Sequence, residues 1–200
     1  MYANRRIDVN DLLALATVMV WPVIPLFWIP VHGFPKIFRR LGTLTYLMPA
    51  LLWPPLAYVV FHNRAPVLHY RFDLPLSLRI AGGLLLAAGV ALQVRTGVLL
   101  SLRGLMGIPE ISPDASNRLV TKGIFSVVRH PTYLSHTMML AGMFFLTAVA
   151  AVGIAAALDF LVINIFVIPL EEKELAARFG QEYIEYRRAV PKFFPRIRGK

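Results

Sequence analysis

PTYLSHTMMLAGMFFLTAVAAVGIAAALDFLVINIFVIPL, residues 131–170, is 40 residues of apolar chain interrupted by a single acid, Asp159. A helix needs about 20 apolar residues to cross roughly 30 Å of hydrocarbon, so this length reads as two crossings joined by a tight turn, with Gly153 near the middle. An intramembrane carboxylate is by default a functional residue. Close to the turn, Asp159 is expected instead to be wetted at the membrane surface.

Working outward, LLALATVMVWPVIPLFWIP (residues 12–30) and LTYLMPALLWPPLAYVVF (residues 44–61) read as two further spans, and a fifth lies within residues 74–100. Pro22, Pro25, Pro54 and Pro55 predict kinked helices whose freed backbone groups are satisfied by neighbours. Gly82, Gly83 and Gly89 allow close helix approach. The expected fold is all-α: a polytopic integral membrane protein of about five transmembrane helices in one domain, residues 1–200. Residues 1–73 supply two N-terminal spans, and residues 74–200 the third span, a polar loop, the hairpin of the last two spans and a C-terminal amphipathic helix.

Composition agrees. Of 200 residues, 57% are hydrophobic and 16% charged, too few charges for the polar skin of a soluble domain. The first apolar run has no small-residue cleavage site after it, so a cleaved signal peptide is not expected. There is no cysteine, which excludes a disulfide framework, a thiolate metal site and a cysteine nucleophile; no metal site is expected. A net charge of +10 could point to nucleic acid, but the basic residues lie between apolar runs. They report orientation: five spans put 16 of the 21 basic residues on one face and 5 on the other. By the positive-inside rule the polar loop and the C-terminus are cytosolic, consistent with an inner or cytoplasmic membrane.

Two polar clusters thereby meet on one face. In NRLVTKGIFSVVRHPTY (residues 117–133), Arg129 and His130 precede Pro131, and proline suits the first turn of a helix. A helix start beside Arg and His is an anion pocket that a small-molecule carboxylate would fit. In LEEKELAARFGQEYIEYRRAV (residues 170–190), Glu171 and Glu172 fall where the last span leaves the hydrocarbon, partly desolvated and suited to a cation or ammonium. Leu175, Phe179, Tyr183, Tyr186 and Val190 form one stripe of an amphipathic helix, with Glu174 and Arg178 as an i,i+4 pair on its polar side.

LVTKGIFSVVRHPTYLSH (residues 119–136) followed, after a helical hairpin, by EEKELAARFGQEYIEYRRAVPKFFP (residues 171–195) resembles the isoprenylcysteine carboxyl methyltransferase family, related to phospholipid N-methyltransferases. The resemblance covers about residues 74–195. It implies S-adenosylmethionine as cofactor, bound through Asn117, Arg118, Leu119 and Val120, through Phe125, through His130, Pro131, Thr132 and Tyr133, and through Glu171. In that reading Leu119 and Val120 line the adenine, His130 and the helix start hold the carboxylate end, and Glu171 takes the ammonium or the ribose.

Three positions depart from the family pattern. Val167 stands where related eukaryotic enzymes look to have an arginine for the substrate carboxylate, Phe125 where a tyrosine is usual, and Ser135 where a glycine is usual. The implied acceptor is lipidic and enters sideways from the bilayer, with Arg129, Arg187 or Arg188 positioning an anionic headgroup. Carboxyl O-methylation is the first reading. Phospholipid N-methylation is the alternative, in which Glu171, Glu172 or His130 accepts a proton. A membrane scaffold or carrier is the reading outside enzymes.

Overall fold

A computed structural model describes residues 7–112 and 118–194 of the chain. Among these residues the fold is all-α; the one extended pairing is an isolated antiparallel bridge between Arg71 and Val149. The chain is a polytopic membrane protein. Among the described residues, four helical runs are long and apolar enough to cross a bilayer: Val9–Gly33, Pro35–His62, Leu76–Ile111 and Ala150–Phe179.

The first run is two helices, α1 (Val9–Val20) and α2 (Val23–Gly33), separated at Trp21 and Pro22. Asp8 caps α1 and exchanges hydrogen bonds with Asp11, filling the orphan N–H groups of the first turn. The second run joins α3 (Pro35–Leu41) through a 3-10 turn to α4 (Leu47–His62). No α4 side chain is buried, although Pro54 and Pro55 lie within the helix, so its apolar surface faces lipid. A short α5 (Arg64–His69) leads to the 30-residue α6 (Leu76–Leu105), broken at Ser101 (φ 61°), and then to α7 (Ile108–Ile111).

The fourth expected span is α8 (Pro131–Thr147), 17 residues long, at the centre of the fold. It lies against α6 at a glycine seam. A Cβ at Gly82 would come within 2.6 Å of Phe145 Cβ, and one at Gly142 within 2.7 Å of the Leu86 backbone nitrogen. Only hydrogen fits there, and the two backbones meet directly.

The turn of the hairpin departs from the expected place. It falls at Ala148, in the left-handed conformation (φ 54°), before α9 (Ala150–Val162). Gly153 is therefore inside α9, where the Phe144 ring covers it. The backbone of residues 70–72 pairs with the turn through Phe72 N–H to Ala148 O (2.8 Å) and Ala150 N–H to Tyr70 O (2.9 Å). With the turn moved toward the N-terminus, Asp159 is carried down the helix. It is fully buried rather than wetted at the surface, and it accepts hydrogen bonds from Trp21 Nε1 (2.9 Å) and faces His136 Nδ1 (3.1 Å).

After α9 comes one π-helical turn, Ile163–Val167, then α10 (Ile168–Phe179) and α11 (Gln181–Ala189). The expected single tail helix is two, because Gly180 (φ 57°) breaks it. Tyr183 and Val190 are buried as the stripe requires. Glu174, expected on the exposed side with Arg178, is instead buried.

Candidate active site

His130 is the residue before α8, and its ring is buried against two carboxylates on α10. Its Nε2 lies 3.0 Å from Glu172 Oε1, and its Nδ1 lies 3.4 Å from Glu171 Oε2. Burial alone would lower the imidazole pKa, but Glu171 and Glu172 outweigh it and raise the value above the ordinary one. Tyr133, one turn into α8, is also buried, and its ring stacks on His130 at 5.8 Å. Proline at the first position of α8 costs no hydrogen bond and fixes where these side chains begin.

Arg129 ties the end of the chain to this pair. Its Nε and Nη2 donate to Glu172 Oε1 at 3.2 and 2.8 Å, and its Nη1 donates to the Arg187 carbonyl (3.0 Å) and to that of Val190. The main chain continues the attachment: Arg129 N–H donates to Pro191 O (2.9 Å) and His130 N–H to Lys192 O (3.3 Å). Tyr186 OH donates to the Phe125 carbonyl (2.7 Å), and burial pushes that phenol up to about 12. The helix start expected as an open anion pocket is thus roofed by residues 190–193, with Phe193 packed on Tyr133.

A second polar group stands beside the first, and the sequence reading missed it. His32 of α2 is buried, with Nδ1 2.7 Å from Glu174 Oε2, and Trp28 stacks on its ring at 5.1 Å. Arg39 of α3 holds the other Glu174 oxygen at 3.0 Å and donates to the Glu110 carbonyl at 3.3 Å. His32 Nε2, Glu110 Oε2 and Glu171 Oε2 are all buried and without a hydrogen bond. His32 reaches Glu174, one turn from Glu171 on α10, and Trp28, which stacks on His32, packs against the apolar cluster of Tyr133, so the two polar groups adjoin. Two signals were available. His32 is the titratable residue at the end of an otherwise apolar span, and Glu171 and Glu174 are three apart, on one helix face.

The other expected site residues scatter. Asn117 lies outside the described residues. Arg118 is exposed, while Leu119, Val120 and Thr132 are half-buried. Phe125 is buried. Val167 is fully buried in an apolar cluster with Tyr133, Ile163, Ile168 and Phe193. Arg129 has every guanidinium nitrogen engaged, although it also borders an open cleft of about 570 Å³ with Glu172, Ala176, Arg187 and Lys192. Among the described residues no group of three or more His, Asp or Glu side chains is arranged to hold a metal ion.

The residues present fit an adenosyl amino acid. The Glu171 Oε2 oxygen, buried and without a hydrogen bond, is an acceptor for an ammonium or a ribose hydroxyl. Buried acceptors without donors are rare in folded proteins and carry a desolvation cost that a ligand relieves.

Residues 78–182 match the phospholipid methyltransferase family. Among curated proteins, the chain is 39% identical over 87 residues to the cobalt-zinc-cadmium resistance protein CzcN of Cupriavidus metallidurans, covering 44% of this chain and 40% of that protein. It is 30% identical over 105 residues to protein-S-isoprenylcysteine O-methyltransferase B of Arabidopsis thaliana, covering 50% and 51%. It is 34% identical over 87 residues to the nickel-cobalt-cadmium resistance protein NccN of Alcaligenes xylosoxydans xylosoxydans, covering 44% and 40%. The chain spans about half, or less, of the length of these curated relatives.

Proposed function

This chain belongs to the phospholipid methyltransferase family, and on that premise we propose that it transfers a methyl group from S-adenosylmethionine to a lipidic acceptor within the membrane. The observation that carries the reading is the buried Glu171 Oε2, which lies 3.4 Å from His130 Nδ1 and makes no hydrogen bond. S-adenosylmethionine supplies an electrophilic methyl carbon on a sulfonium. The protein's part is alignment and exclusion of water. Glu171 binds the ammonium or ribose, His130 keeps Glu171 and Glu172 in place, and Tyr133 closes the apolar side. Leu119 and Val120 line the adenine, and Asn117, Arg118 and Phe125 are further cofactor contacts that the family resemblance implies.

Two acceptor classes follow. Likeness to the Arabidopsis enzyme supports carboxyl O-methylation of an isoprenylcysteine-type lipid. The amine of a phospholipid headgroup is favoured by Val167, which is sealed in an apolar cluster where an arginine for a carboxylate would be needed. In the first case base releases the labelled methyl as volatile methanol; in the second it stays on an amine. The active site and C-terminus face the cytosol of an inner or cytoplasmic membrane, a placement supported by the basic-residue asymmetry and tested by a reporter fused to the C-terminus.

Calorimetry with S-adenosylhomocysteine tests the cofactor assignment. Binding is expected, and Glu171→Ala should weaken it by roughly 10-fold or more, the loss of one charge-assisted hydrogen bond. Absence of binding to the intact chain would sink the reading and leave a scaffold or carrier.

A further inference from the structure

His32 and Arg39 lie outside residues 78–182, yet both hold Glu174, one turn from Glu171 on α10. A histidine serving only to pack a core has both ring nitrogens satisfied or one turned to water. Here Nδ1 is fixed by Glu174 at 2.7 Å, while Nε2 is buried and bare. A carboxylate on Nδ1 selects the tautomer whose Nε2 carries the lone pair, and it stabilises the imidazolium once Nε2 is protonated. Trp28 holds the ring plane, and Arg39 fixes the carboxylate that fixes the ring. Glu110 Oε2 is likewise buried and without a hydrogen bond, and Arg39 is already bound to Glu174 and to the Glu110 carbonyl. This environment suits a ligand that brings hydrogens and gives one up.

We infer that His32 is the proton acceptor for a protic methyl acceptor, an amine N–H or a hydroxyl O–H, and that Glu174 and Arg39 are its positioning residues. The inference rests on the methyltransferase reading above. In the step, the nitrogen or oxygen lone pair forms a bond to the methyl carbon, and the carbon–sulfur bond breaks with its electrons kept on sulfur. The acceptor's hydrogen leaves as a proton to His32 Nε2, and its bonding pair stays on the acceptor. The imidazolium so formed faces the Glu174 carboxylate. A carboxylate acceptor has no proton to lose and needs no such group, so the His32 arrangement selects between acceptor classes.

The test uses the full chain in host membranes and in phosphatidylethanolamine nanodiscs, with labelled S-adenosylmethionine for transfer and S-adenosylhomocysteine for binding. His32→Gln should bind S-adenosylhomocysteine within about threefold of wild type and lose roughly 10²–10⁴-fold in transfer, the usual worth of a general base. Glu174→Gln should move the acid limb of the pH–rate profile to lower pH, which a purely structural role would not. A readout free of activity is the ¹⁵N spectrum of the histidine-labelled, cofactor-free chain, where at about pH 8.5 His32 should carry its proton on Nδ1 and none on Nε2. A proton on Nε2 under those conditions overturns the assignment. So does His32→Gln with transfer within about threefold of wild type, and so does loss of S-adenosylhomocysteine binding in that variant. Failure of the wild-type chain to bind S-adenosylhomocysteine is a separate result that removes the methyltransferase reading itself.

Discussion

Trp21 Nε1 donates a 2.9 Å hydrogen bond to Asp159 Oδ1 across 138 residues of sequence, joining the break in the first membrane run to the middle of α9. The other Asp159 oxygen faces His136 Nδ1 at 3.1 Å. A carboxylate buried at this depth stays only because both oxygens are engaged. Trp21→Phe removes one donor and should cost about 1–2 kcal/mol, whereas Asp159→Ala strands both partners and should cost about 3 kcal/mol. The two substitutions share a contact, so the double variant should be less destabilised than their sum. Circular dichroism of unfolding in mild detergent with increasing sodium dodecyl sulfate measures all three.

The glycine seam between α6 and α8 gives a sharper contrast. Gly142→Ala places a methyl 2.7 Å from the Leu86 nitrogen and 2.8 Å from the Gly82 carbonyl, both rigid backbone. It should cost about 1–3 kcal/mol. Gly83→Ala meets the Leu146 side chain at 3.8 Å, an ordinary contact. It should be neutral or slightly stabilising, since alanine is the better helix former. Equal effects at the two sites would contradict the seam.

What was legible in the sequence follows the same division. Apolar length reveals spans directly, because hydrocarbon thickness sets a fixed requirement, and small residues in the third span pointed to its close packing. Where a hairpin turns is another matter. Ala148 adopts the left-handed conformation because residues 70–72 pair with the turn, a contact invisible along the chain, and that shift is what buried Asp159. The His130 and Glu171 pair was legible from the motif. His32 and Glu174 left only the weaker signals of a histidine at a span end and two acids one turn apart, because the acids after residue 170 resemble a solvated helix start until α2 and α3 are packed against them.

His130 makes stability depend on pH. Its folded pKa is raised above the free imidazole value, because Glu171 and Glu172 outweigh the effect of burial. The protonated form is therefore stabilised by folding. That contribution is fully present below about pH 6.5, the free value, and is lost as pH climbs through the higher folded value. The thermal midpoint should fall as pH rises above neutrality, and His130→Gln should flatten the profile in that window. An unchanged profile in the variant would mean that another group carries the dependence.

Arg129 is expected to act as a clamp for the chain end. Its guanidinium reaches Glu172 and the carbonyls of Arg187 and Val190 at once, a task for a planar fork. Arg129→Lys keeps the charge but cannot span these acceptors. It should lose about 1–3 kcal/mol and open the segment after residue 189 to trypsin. Limited proteolysis followed by mass spectrometry gives the answer. If lysine restores full protection, charge alone holds the tail.

Val167 is the position where an arginine would be expected for a carboxylate acceptor, so restoring that arginine is an informative experiment. The side chain is fully buried among Tyr133, Ile163, Ile168 and Phe193. A guanidinium placed there loses its hydration, at a cost of several kcal/mol unless paired. The carboxylate within helical reach is Glu171, four residues on. Pairing would engage the carboxylate that the cofactor reading assigns to the ligand. Val167→Arg should therefore lower both the unfolding midpoint and the affinity for S-adenosylhomocysteine without producing base-labile methyl esters. An arginine variant that keeps its stability and gains ester formation would assign the acceptor to the carboxylate class and remove the need for His32 as a base.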